Sequence, residues 1–186
     1  MKKLKVKEGY VYHIHDRYMD LVQGFGVKNK TVCRHSYPAY CVCKDEQEGG
    51  MLWMVPMSTN VVKYRDVIQK KIDNFDECLS IVIGMYDGRE VAFQLQDMFP
   101  VLKKHILKLH TRGDRVVKVE SDIQLEVRYK FDKMMEMHND GKKCIFTDIE
   151  SIKRLIIPSN DYFSEVSGFD VLSKCLLFDS VEDRTL

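Results

Sequence analysis

The chain has 186 residues, 45% of them apolar and 31% charged, which is enough for one sizeable core and points to a single domain. No run approaches the roughly 18 apolar residues of a membrane span. The opening Met1-Lys-Lys-Leu-Lys-Val-Lys-Glu-Gly9 has lysines with no apolar segment behind them, unlike a secretory leader, so a cytoplasmic protein is expected. The net charge of +1 is unevenly spread. Asp161, Glu165, Asp170, Asp179, Glu182 and Asp183 face only Lys174 and Arg184 in residues 158–186, a net of −4, which leaves +5 for the rest.

In chain order, the alternation of Gly9 to Ile14 predicts a strand, and Asp16 to Gln23 a short helix. A polar loop follows over Gly24 to Val32. A β-rich hairpin is expected next, with strands at Tyr37 to Lys44 and Met51 to Met57 and turn chemistry between them. Leu52 to Met57 reads as a buried strand that stops at Ser58-Thr-Asn60, all residues of N-cap type. Val61, Tyr64, Ile68 and Ile72 then recur at helical spacing to about Asp73. A second hairpin is predicted from Leu79 to Tyr86 and from Glu90 to Leu95, across Asp87-Gly88. Val101 to Leu109 fits either a strand or a short helix. Asp122 to Asn139 reads as one long helix with methionines as core filler, and Asp148 to Ile156 as another. Hairpins with helices between them imply an α+β fold around a small barrel or strongly bent antiparallel sheet. Residues 1–157 would form one domain, with 158–186 as an acidic extension packed on it.

Cys33, Cys41, Cys43, Cys78, Cys144 and Cys175 suit reduced, mostly buried thiols. Cys41-Val-Cys43 has the wrong gap for a zinc knuckle, and His13-Ile-His15 lacks an evident third ligand, so neither a metal nor another cofactor is expected. The chain has no Walker loop, no dinucleotide-binding glycine pattern and no serine-hydrolase elbow. What remains is a set of hydroxyls, cations and aromatics.

The helix start after Met57 would present free N–H groups, Ser58, Thr59, Lys63 and Arg65, a setting that can hold a phosphate, although an ordinary helix cap explains the same residues. Arg34 and His35 precede the first hairpin, and Tyr18 lies on the first helix. The segment from Lys103 to Lys118, with Lys103, Lys104, Lys108, Arg112, Arg115 and Lys118 against Asp114 alone, forms a basic stripe suited to a polyanion or to solvent. Tyr37, Tyr40 and Tyr64 are available for stacking on bases. Such a set suffices for metal-free RNA cleavage, because RNA carries its own 2′-OH nucleophile and the protein need only orient the phosphate, neutralise charge and move protons.

Four segments in this order resemble the ToxN/AbiQ group of endoribonuclease toxins from type III toxin–antitoxin systems, which includes the CptN and TenpN branches. They are Val11-Tyr-His-Ile-His-Asp-Arg-Tyr-Met-Asp-Leu21, Arg34-His-Ser-Tyr-Pro-Ala-Tyr-Cys-Val-Cys43, Val55-Pro-Met-Ser-Thr-Asn60 and Ala92-Phe-Gln-Leu-Gln-Asp-Met-Phe-Pro100. The resemblance implies a MazF-like bent barrel and metal-independent cleavage to 2′,3′-cyclic phosphate and 5′-hydroxyl ends. It also implies inhibition by a small, repeat-encoded, pseudoknotted RNA antitoxin in a closed toxin–RNA oligomer, with no DNA or membrane partner. On that likeness Ser58 or Thr59 contacts the scissile phosphate or positions the 2′-OH. Lys63 and Arg34 stabilise charge, and His35 or Tyr18 shuttles protons. The sequence departs from the family pattern in four places: the usual serine position falls on Thr59 with Ser58 just before it, the following lysine position falls on Val61, so that Lys63 would reach in from the next turn, the cation of the second segment is either Arg34 or His35, and the acidic extension beyond Pro158 has no counterpart. A non-catalytic RNA-binding or protein-interaction module with the same basic groove is the alternative expectation.

Overall fold

The computed structural model describes residues 5–27, 37–46 and 49–157. The chain divides into two units, residues 1–156 and 157–186, and the architecture below is that of the first. The acidic extension at 158–186, with Cys175, lies outside the described residues, as do Cys33, Arg34, His35 and the Tyr37 side chain.

Strands β1 (Val11–Ile14), β2 (Tyr37–Asp45), β3 (Met51–Ser58), β4 (Ile81–Tyr86), β5 (Arg89–Gln94), β6 (Phe99–Val101) and β7 (Ile106–Leu109) form one sheet in the order β4-β5-β3-β2-β1-β7. Every pairing in it is antiparallel, and β6 joins off this path against β3. The apolar run from Met51 to Pro56 is buried throughout because β3 is central. One edge of β3 pairs with β2. The other is shared, with Leu52, Trp53 and Met54 opposite β6 and with Met57 and Ser58 opposite Phe93 and Ala92 of β5.

Of the two expected forms, a small barrel or a strongly bent antiparallel sheet, the barrel does not form among the described residues. The sheet stays open, with β4 and β7 as its ends. The partner of β3 changes partway along its length, and β7 is a four-residue edge strand with exposed Leu107 and Lys108, a charge placement that discourages further pairing. The fold is therefore α+β with an open, antiparallel sheet.

Both predicted hairpins are present. Asp87 and Gly88, both in the left-handed region at φ 52° and 75°, make the two-residue turn whose twist matches the right-handed twist of the strands it joins. The ambiguous stretch after Pro100 resolves into β6, a short 3₁₀ turn at Lys103–His105 and β7. A small exposed hairpin, β8 (Thr111–Arg112) and β9 (Arg115–Val116), follows.

Four helices flank the sheet among the described residues. Helix α1 (Asp16–Val22) buries Tyr18, Met19 and Val22. Helix α2 (Val61–Phe75) lies on β4 and β5, with Tyr64 packed among Cys78, Ile81 and Ala92. Helix α3 (Ser121–Asn139) packs on β2 and β4 through Val127, Phe131 and Met134, and Phe131 meets Trp53 edge-on at 5.7 Å. It approaches β4 closely at Gly84, where a Cβ would fall 2.6 Å from Ile123 Cδ1, so a larger residue would push the helix off the strand. Helix α4 (Ile149–Ile156) packs on β6, with Ile149, Ile152 and Ile156 buried at helical spacing. No helix among the described residues is long and apolar enough to cross a membrane.

Candidate functional site

The β3–α2 junction settles the capping question. Asn60, rather than Ser58 or Thr59, is the N-cap, and its Oδ1 accepts from the Lys63 N–H at 3.5 Å. The Asn60 N–H donates to Ser58 Oγ at 3.2 Å. The helix start thus satisfies part of its own donor set. Ser58 stays in β3, where pairing with Ala92 holds it beside the β4–β5 hairpin.

That placement puts Ser58 and Thr59 on the wall of a cavity of about 160 Å³. Tyr86, Asp87 and Arg89 line it from the hairpin, and His110 from the end of β7. The His110 N–H donates to Val11 O at 2.8 Å, continuing the β1–β7 ladder and setting the imidazole beside β1. There His110 Nδ1 lies 2.9 Å from His13 Nε2, with ring centroids 5.1 Å apart in a stacked arrangement. The Tyr86 ring is 5.8 Å from that of His110. Its hydroxyl is buried with no hydrogen-bond partner among the described residues. Burial also raises the Tyr86 pKa, so the hydroxyl keeps its proton and is a donor awaiting an acceptor.

The charges in this cavity are asymmetric. Asp87 is engaged by Arg112 of β8 at 3.2 Å, whereas Arg89 is exposed and has no acidic partner among the described residues. Partial burial lowers the His110 pKa, Asp87 works against that shift, and Arg89 and Lys108 reinforce it. The ring is therefore neutral near pH 7, as a general base requires. One unpaired guanidinium, one neutral imidazole and three hydroxyls converge on a space below the roughly 300 Å³ at which pockets for whole small molecules begin.

The other residues singled out from the sequence fall elsewhere. Tyr18 is buried, donates its hydroxyl to Pro100 O and stacks on His105 at 4.5 Å. Burial raises its pKa, so it is a core tyrosine and ill suited to shuttle protons at this cavity. Tyr40 sits in the core, edge-on to Phe93 at 5.3 Å, and Tyr64 donates to buried Gln94. Neither ring is open to stack on a base, which corrects that expectation: both lie on faces of the fold that packing has already filled. Lys63 is exposed on α2 with its Nζ 5.9 Å from the Tyr64 ring centroid, and it does not line the cavity. Arg65 is ion-paired with Glu90 at 2.5 Å.

The basic stripe lies at the surface as expected. Lys103, Lys104, Lys108, Arg115 and Lys118 are exposed, and none has an acidic partner among the described residues, while Arg112 leans on Asp87 beside the cavity. Arg89, Tyr86 and His110 were not singled out from the sequence. Arg89 directly follows the Asp87-Gly88 turn, and His110 sits inside the basic stripe, but neither position signals a neighbour across the sheet. His13 was weighed as a metal ligand. Among the described residues no group of three or more His, Cys, Asp or Glu is placed to hold a metal, and His13 faces His110 instead.

A larger cavity of about 430 Å³ lies between α2 and α3, lined largely by apolar side chains such as Phe75, Leu79, Met134 and Phe146. Its Lys71 already donates to Ser80 Oγ at 2.7 Å and to Gln96 Oε1 at 3.3 Å, so size alone does not make it the reactive site.

No protein-family model matches the chain, and no curated protein matches it. It is similar to a solved structure described as "A processed non-coding RNA regulates a bacterial antiviral system", at 15% identity and a TM-score of 0.47, over 72% of this chain and 88% of that one.

Proposed function

We propose that the chain is a metal-independent endoribonuclease whose reaction takes place in the cavity formed by Ser58, Thr59, Tyr86, Arg89 and His110. The observation that carries this reading is the convergence of an unpaired Arg89 and a neutral His110 on the two hydroxyl residues at the end of β3. In the reaction the RNA 2′-oxygen attacks the adjacent phosphorus, and the bond from phosphorus to the 5′-oxygen breaks. His110 takes the 2′ proton and water supplies one to the departing 5′-oxygen. The products carry 2′,3′-cyclic phosphate and 5′-hydroxyl ends. Arg89 neutralises the charge that builds on the phosphorane, while Ser58, Thr59 and Tyr86 donate to its oxygens. DNA lacks the nucleophile and is not a substrate.

The exposed lysines and arginines from Lys103 to Lys118 hold the RNA backbone beside the cavity, so binding weakens steeply as salt rises. The resemblance to the ToxN/AbiQ group extends this reading to a toxin of a type III toxin–antitoxin, phage-defence system, held inactive by a small structured RNA. On that reading, tandem short repeats stand directly upstream of the reading frame.

Induction in a bacterial host tests the enzyme reading. New RNA ends and growth arrest are expected with the natural chain, and neither with the Ser58→Ala/Thr59→Ala double variant. Tight RNA binding without new ends would favour the alternative, a non-catalytic binding module using the same basic surface.

A further inference from the structure

His110 acts as the base in that reaction, and His13 lies directly beside it. We infer that His13 is the positioning residue of this cavity: it accepts the proton on His110 Nδ1, which makes His110 Nε2 the base, and the two rings work as one proton-holding unit. The inference rests on the ribonuclease reading and deepens it.

Two ring nitrogens 2.9 Å apart need one hydrogen between them, since two lone pairs would repel and two N–H groups would collide. In the neutral pair that hydrogen belongs to one ring. If it sits on His110 Nδ1, His110 Nε2 carries a lone pair, and that nitrogen has no hydrogen-bond partner among the described residues. If it sits on His13 Nε2, His110 Nε2 carries a hydrogen and cannot accept one.

The cavity favours the first arrangement once chemistry begins. When His110 accepts a proton from the 2′-oxygen it becomes an imidazolium, and its Nδ1–H then points at a neutral acceptor on His13. The pair holds one added proton without moving. A second would force the rings apart, so the two titrate as a coupled unit with well separated steps.

The surrounding charges fit a base that discharges readily. Asp87 faces His110 from the β4–β5 turn and favours the imidazolium. Arg89 from β5 and Lys108 from β7 oppose it, as does burial. Tyr86 from β4 is neutral, and Arg112 from β8 is spent on Asp87. His13 from β1 is the group that meets the ring nitrogen directly, and it does not line the cavity. It therefore acts through His110 and does not touch the substrate.

Two readouts test this. In nitrogen NMR of the natural chain at pH 7.5, His110 is expected to carry its hydrogen on Nδ1 with Nε2 bare, and the pair to titrate in steps more than about one pH unit apart. The reversed tautomer, or two independent titrations near 6.5, would overturn the inference whether or not RNA is cleaved. In cleavage assays His13→Ala is expected to lower kcat by about 10- to 100-fold, the cost seen when the hydrogen-bond partner that orients a metal-bound imidazole is removed, with KM nearly unchanged. Its acidic limb moves to lower pH, because the imidazolium loses its acceptor, and His13→Gln, which can still accept, recovers part of the rate. If both variants keep the natural kcat and acidic limb, the pairing idea fails while the ribonuclease reading stands. If the natural chain cleaves no RNA, that reading fails and the NMR result still decides the pairing.

Discussion

Replacing Arg89 with alanine is expected to lower the rate of RNA cleavage by about 10²- to 10³-fold, the usual cost of removing one donor aimed at charge that develops in a transition state. The guanidinium lines the cavity beside Ser58 and Thr59 and has no carboxylate among the described residues to neutralise it, so its charge is available to a phosphate. Because it is exposed and unpaired, its loss should change folding stability by no more than about 0.5 kcal/mol. Single-turnover cleavage and thermal melting of the same preparation separate the two effects. Lys133→Ala, which breaks an exposed pair with Glu136 on α3, serves as the surface control and should leave both unchanged. An Arg89→Ala protein that melts normally and cleaves at the natural rate would remove this residue from the mechanism.

The largest effect on stability is expected at Phe93. This ring is fully buried on β5, opposite Met57 of β3 and Val82 of β4, and stands edge-on to Tyr40. It joins the strand that carries Ser58 to the hairpin that carries Tyr86, Asp87 and Arg89. Phe93→Ala should cost about 3–5 kcal/mol, combining lost apolar burial with the cavity left behind. In a unit of this size that lowers the melting midpoint by roughly 10 °C or more. Denaturant unfolding gives the direct value. A loss below about 1 kcal/mol would mean that the two halves of the sheet are not joined through this ring.

Much of the local structure is legible in the sequence because its signals are local. The Asp87-Gly88 turn, the buried run before Ser58 and the periodicity of Asp122 to Asn139 each depend on neighbours a few residues away. The choice between a barrel and an open sheet was not legible, because it depends on β6 choosing β3 and on β7 choosing β1, pairings set by distant segments and edge chemistry. The same division runs through the site. Ser58 and Thr59 stand out from the sequence as hydroxyls at a helix start, and Asn60, of the same N-cap type, supplies the cap. Tyr18, Tyr40 and Tyr64 look like equally good functional aromatics in the sequence, yet burial and hydrogen bonds to Pro100 and Gln94 commit them to the core. His110 and Arg89 gain their meaning only when β1, β3, β5 and β7 bring them to one cavity, and no spacing along the chain encodes that.

The most direct measurement of the central claim is the end chemistry of RNA incubated with the purified full chain in excess EDTA. Cleavage is expected to persist under chelation, to leave 2′,3′-cyclic phosphate and 5′-hydroxyl ends, to disappear in Ser58→Ala/Thr59→Ala and to slow by about 10²- to 10³-fold in Arg89→Ala. Cleavage abolished by EDTA, products with 5′-phosphates, or salt-sensitive RNA binding with no cleavage would contradict it.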